Sequence, residues 1–165
     1  MSDSPKPKRP SSGSSKPKKG GIWLQHLGGP DHALSHPKCV WEMEPDYDEG
    51  MEMLGEGDVE GARDALRYAL QGCGDNLWVH VALGRIAIDH DNDPKLAKGH
   101  YGYAFELARK ALPTGFQGRL PIEHPSNAPL YDAIDGLIAC HEALGAFDLA
   151  EEVRELARRW STGRR

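Results

Sequence analysis

GDVEGARDALRYAL at residues 57–70 and GAFDLAEEVRELA at residues 145–157 decide how this chain is read. Each opens with Gly, any residue, apolar, any, any, Ala. Each then repeats its alanine seven residues on, as Ala62 with Ala69 and Ala150 with Ala157. Seven residues are nearly two helical turns, so both alanines share one face. Ala104 and Ala111, with Ala108 between them, repeat the spacing a third time. Small side chains on such a face let a neighbouring helix approach closely.

Working outward from these stretches, helical periodicity predicts six helices. The first runs from Asp46 to about Leu54, with Tyr47, Met51 and Leu54 on one side. The second follows Asp58 as N-cap, shows Val59, Ala62, Leu66, Ala69 and Leu70 inward, and ends at Gly72 and Gly74. Asp75 or Asn76 caps a third, carrying Val79, Leu83, Ile86 and Ala87. Asp93 followed by Pro94 starts a fourth, which stops near Leu112 before Pro113. A Pro- and Gly-rich loop of 15 residues, 113–127, follows; that is long for a compact domain. Asn127 caps a fifth helix with Leu130, Ile134, Leu137, His141 and Leu144, and Gly145 ends it. The sixth carries Phe147, Ala150, Val153, Ala157 and Trp160. No strand alternation is evident. The expected class is all-α, three antiparallel helix pairs over residues 46–162, with a generic helical bundle as the alternative topology.

The pattern resembles the tetratricopeptide repeat (TPR) family. Gly50 and Gly84 hold the small position of the first helix in two pairs, Gly57 and Gly145 hold the turn, and the paired alanines hold the second helix. The resemblance is divergent. The alanines recur after 42 and then 46 residues, against about 34 in the ideal repeat. Ile138 replaces the small residue of the third pair, and Arg154 stands where a large apolar side chain is usual. The resemblance implies a short α-solenoid whose first helices line a groove for a partner peptide. Carried onto this sequence, the groove includes Tyr47, Met51, Trp78, Val81 and Arg85, and then Asp132, Asp135 and Glu142. It would be apolar at one end and acidic at the other. Trp78 and Val81 are equally consistent with core, because amphipathic patterning does not separate core from groove.

Charge is unevenly spread. Residues 1–20 hold Lys6, Lys8, Arg9, Lys16, Lys18 and Lys19 against Asp3, a net +5; the chain's −5 leaves −10 for the rest. Such a tail cannot bury apolar surface and is expected to be disordered. Through it the chain would have a weak, salt-sensitive contact with nucleic acid or a membrane surface as an alternative role. Residues 21–45 read as an irregular lead-in. The most apolar window, LWVHVALGRIAI, spans 12 residues and contains His80 and Arg85, too short and polar for a bilayer. Cys39, Cys73 and Cys140 are odd in number and widely spaced, which suggests no disulfide framework and a reducing, cytoplasmic location.

Catalytic and metal chemistry find little support. HALSHPKC (32–39) puts His32, His36 and Cys39 close together, with His26 upstream, but Pro37 disfavours helix at His36 and the spacing fits no standard zinc set. The segment is expected instead to pack Cys39, Val40 and Trp41 onto the first helix pair. DHDND (89–93) lacks the glycine and glutamate of a calcium loop. HEALG (141–145) lacks the second histidine of a zincin. GHYGYAF (99–105) places two glycines inside a helix, which close helix contact would explain. No phosphate loop and no nucleophile elbow is present. The sequence thus points to a non-enzymatic module, without cofactor or metal, that binds a protein or peptide partner.

Overall fold

The computed structural model describes residues 21–162; the basic tail of residues 1–20 lies outside them. The described chain is mostly helical. After a hairpin of β1 (Trp23–Gly28) and β2 (Asp31–Ser35) come α1 (Lys38–Glu42), α2 (Glu44–Gly55), α3 (Val59–Gly72), α4 (Leu77–Asp89), α5 (Pro94–Lys110), α6 (Ala128–Ala143) and α7 (Phe147–Thr162).

The helix starts obey local chemistry. Asp58 accepts from the Gly61 N–H at 2.9 Å, Asp93 from the Leu96 N–H at 3.1 Å and Asn76 from the Val79 N–H at 3.4 Å. Each satisfies a first-turn donor that has no partner within its own helix. Gly57 and Gly145 take left-handed φ of 88° and 77°, letting the chain reverse directly after α2 and α6. Asn127 departs from expectation. A 3-10 turn, Pro125–Asn127, runs into α6, so Asn127 already has near-helical dihedrals and caps nothing.

The lead-in is not irregular, which corrects the sequence reading. β1 and β2 pair antiparallel, Trp23 opposite Ser35 and Leu24 opposite Leu34. The strands escape detection because β2 does not alternate: Ala33, Leu34 and Ser35 are all buried. Its turn, Gly28-Gly29-Pro30-Asp31, is the signal that was available.

Each helix from α2 onward packs on the next, α2 on α3, α3 on α4, α4 on α5, α5 on α6 and α6 on α7, and α4 also meets α6. Helix α4 serves two apolar clusters. Trp78, Val79, Ala82, Leu83 and Ile86 join Val40, Tyr47, Leu66 and Cys73 on one side. Leu77, Val81 and Ala87 join Leu34, Tyr101, Leu120, Tyr131 and Ile134 on the other. That double burial is why α4 reads apolar around its whole circumference. Small residues set the helix spacing. Ala62, Ala69, Ala104, Ala108 and Ala150 are at most 1% exposed. A Cβ at Gly50 would stand 3.0 Å from Leu66, and one at Gly84 would stand 2.8 Å from the Tyr101 ring. In α6 the glycine against a second helix is Gly136, which also meets the Tyr101 ring, two positions before Ile138.

Candidate partner-binding face

Helices α2, α4 and α6 carry the residues expected to line a groove, and the structure divides that set. Tyr47 and Trp78 are buried in one cluster, with Met51 packed on its edge. Val81 is buried in the other. Nothing here is open, because the lead-in lies over it. The His36 imidazole stacks on the Trp78 indole at 4.4 Å between centroids, and Trp41 approaches the same ring at 6.3 Å. Val40 is fully buried beside Tyr47 and Trp78, and Leu34 is buried with Leu77 and Val81. Within the expected packing segment, Val40 is buried most deeply; Cys39 and Trp41 remain partly exposed.

Polar contacts fix the cover. The Asn127 carbonyl oxygen accepts from the Leu34 N–H at 2.9 Å, and its amide donates to His32 and Pro121 carbonyls at 3.2 and 3.1 Å. His36 Nε2 meets the Ser126 carbonyl at 2.8 Å, so it carries the proton as donor. Burial pulls the His36 pKa down to about 4, with the Ser126 contact opposing. Asp31 grips Arg119 through two bonds of 2.6 and 2.8 Å, and the His32 N–H bonds the Arg119 carbonyl at 2.8 Å. Segment 113–127, whose purpose the sequence left open, is thus the clamp that holds the hairpin to α6. Leu120 continues it by donating to the Trp160 carbonyl at 2.6 Å.

The polar members of the expected set lie elsewhere. Arg85 of α4 faces Asp132 of α6 at 3.9 Å, their side chains 27% and 28% exposed. Asp135, one turn further along α6, is exposed; desolvation and then the Asp132 charge raise its carboxyl above the usual range. Glu142 is separate, bonded to Arg154 of α7 at 2.5 Å. Arg85 and Asp132 therefore form a half-exposed polar pair across α4 and α6, while Asp135 lines a cleft toward Arg154 and Arg158 of α7.

The histidine and cysteine set does not converge. His26 and His32 lie 5.0 Å apart between ring centres, whereas His36 is spent on Trp78 and Ser126. Cys39 is bonded to Cys73 in a disulfide, with Cα atoms 5.3 Å apart. This corrects the reading that the cysteine count and spacing suggest no disulfide framework; Cys140 is left free, and it is buried. The pairing was not legible because it depends on α1 folding back over the end of α3. Among the described residues no group of metal-ligating side chains comes together, and no helix is long and apolar enough to cross a membrane. The acidic turn 89–93 uses Asp91 to hold Arg63 through bonds of 2.8 and 3.0 Å.

No family model, no curated protein and no solved structure matches this chain.

Proposed function

We propose that the chain is a non-enzymatic, TPR-like interaction module that binds a partner segment on the face of α2, α4 and α6. The Arg85–Asp132 pair, which bridges α4 and α6 at the surface, carries this reading. Such a face is continuous with the array's first helices, and its apolar half is occupied by the chain's own residues 34–41. The exposed half is acidic on α6 and would take a segment with a basic residue for Asp132 and Asp135 and a carboxylate or carbonyl for Arg85. Rim charges of this kind set partner choice and association rate more than affinity. The net −10 outside the basic tail suits a basic partner.

Ala139 is exposed on α6, one turn beyond Asp135 on the same face, and is the place for a photo-crosslinking residue. Tyr68, 60% exposed on α3, is the control position. The reading expects a discrete adduct from position 139, absent from 68, that disappears with Asp132→Lys and Asp135→Lys together. The same adducts from both positions, or an adduct indifferent to charge reversal, would refute it.

A further inference from the structure

The contacts that fix the cover are concentrated before Pro37. Asp31 holds Arg119, His32 and Leu34 hold Asn127, and His36 holds Ser126. Beyond Pro37 the fixings change character. Val40 and Trp41 pack on α2 and α4, and Met43 packs on Gly72. The ion pair Lys38–Glu42, 3.5 Å, is internal to α1 and exposed. A helix of 5 residues is far too short to hold itself together. Besides its continuation through Met43 into α2, the disulfide from Cys39 to Cys73, the C-cap residue of α3, is the covalent tie that α1 has to the helices. Its two residues differ in exposure: Cys39 is partly exposed, whereas Cys73 is 2% exposed.

We propose that Cys39–Cys73 is a redox latch: oxidised, it keeps Val40 and Trp41 of α1 seated on the α2–α4 cluster, and a dithiol reductant opens it and frees the strip beneath α1, with His36 still on Trp78, for a partner's short apolar–aromatic helical turn. The partner chemistry is taken from α1 itself, whose Val40 and Trp41 fill the strip in cis. The docking half rests on the groove reading above; the latch does not. A thiolate of the dithiol attacks Cys39 Sγ, breaks the Cys39–Cys73 bond and leaves Cys73 as a thiolate that takes a proton. The second thiolate of the reductant then attacks its own sulfur in the mixed disulfide and releases Cys39. Two electrons pass to the protein, and the reductant becomes a cyclic disulfide. Cys140 takes no part, being buried with its thiol pKa raised by that burial.

The test uses the full chain, oxidised in air or reduced with dithiothreitol. Alkylation after denaturation should mark one cysteine in the first and three in the second. Hydrogen exchange of amides 39–43 should then speed up at least about tenfold on reduction, while α4 to α6 stay protected. Unchanged exchange at 39–43 overturns the latch, as does loss of protection throughout, which would make the bond a general brace. The probe for docking is a fluorescein-labelled peptide, KSVWEM, matching residues 38–43 with serine for Cys39. It should bind the reduced chain at least about tenfold more tightly than the oxidised chain. Equal binding by both states, with α1 released, overturns the docking half and leaves the latch standing. Cys39→Ser with Cys73→Ser should mimic the reduced state; if that variant does not fold, the reduced wild type still decides.

Discussion

The indole of Trp78 lies against the imidazole of His36, ring centres 4.4 Å apart, and both residues are buried. The aromatic side chain expected to anchor a partner on α4 is thus engaged by a histidine 42 positions earlier in the chain. Its consequence for stability is a matter of protons. His36 Nδ1 is buried without a hydrogen-bond partner, so the ring is held neutral.

Acid should therefore loosen the cover. His36 has a folded pKa of about 4, below its ordinary value of 6.5. Its contribution is fully present above 6.5 and is lost as pH falls toward the folded value, because the unfolded state takes the proton first. Between pH 7.5 and 4.5 this amounts to roughly 2 to 3 kcal/mol. Urea unfolding at the two pH values should show that loss in the wild type and a correspondingly smaller one in His36→Phe. Equal losses in both proteins would mean that other groups carry the acid response.

The disulfide should matter for stability as well as for access. Cys39 and Cys73 are 34 residues apart. Loop-closure entropy for that length gives about 4 kcal/mol as a chain-entropy ceiling. Urea unfolding with and without dithiothreitol should place the reduced chain lower by about 2 to 4 kcal/mol. The slope of the transition should rise as well, because an uncrosslinked chain exposes more surface. A difference below about 1 kcal/mol would mean that native-state strain cancels the entropic gain.

What was legible in the sequence divides along physical lines. The helices from Glu44 to Thr162 were visible because each carries its own signals: Asp58, Asn76 and Asp93 at starts, Gly57 and Gly145 at reversals, and apolar residues at helical spacing. Such signals act within a turn or two. The hairpin was missed because β2 is buried by distant parts of the chain, Leu34 among residues of α4 and with its N–H on Asn127, 93 positions on. The covering of Trp78 was invisible for the same reason. Nothing near Trp78 announces that His36 will cover it. Arg85 and Asp132 were both chosen from the sequence, but their pairing across α4 and α6 depends on how two helices stack.

Asn127 is the polar keystone of the cover, and its removal should be costly. Its side chain is fully buried and serves Leu34, His32 and Pro121 at once. Asn127→Ala leaves one buried N–H and two carbonyls without that partner, at about 1 to 3 kcal/mol for each group left unsatisfied. We expect a total loss of roughly 3 kcal/mol or more in urea unfolding. Asn127→Asp should be no rescue, since a carboxylate cannot donate to the two carbonyls. Because Asn127 caps nothing, the helicity of α6 by circular dichroism should survive in whatever fraction remains folded. A loss confined to α6, with the hairpin still protected in hydrogen exchange, would contradict this role.

Glycines within helices give the sharpest contrast between packing and propensity. Gly84 and Gly136 both abut the Tyr101 ring, and Tyr101 is 4% exposed, so the ring has little room to swing. Alanine at either position gains about 1 kcal/mol of helix propensity but overpacks a full core, at about 1 to 3 kcal/mol. We expect net destabilisation by thermal or urea unfolding. Tyr101→Leu should relieve most of it, a coupling of about 1 kcal/mol or more in a double-mutant cycle. Gly99 and Gly102 of α5 are different, and here close packing fails as an explanation of GHYGYAF. A Cβ at Gly99 would meet nothing within 4 Å, and one at Gly102 would meet only Leu137 at an ordinary 3.8 Å. Gly99→Ala and Gly102→Ala should therefore stabilise the chain by about 0.5 to 1 kcal/mol each. If Gly84→Ala and Gly99→Ala shift stability in the same direction, the helix spacing around Tyr101 is wrong. In that case the arrangement that brings Arg85 to Asp132 falls with it.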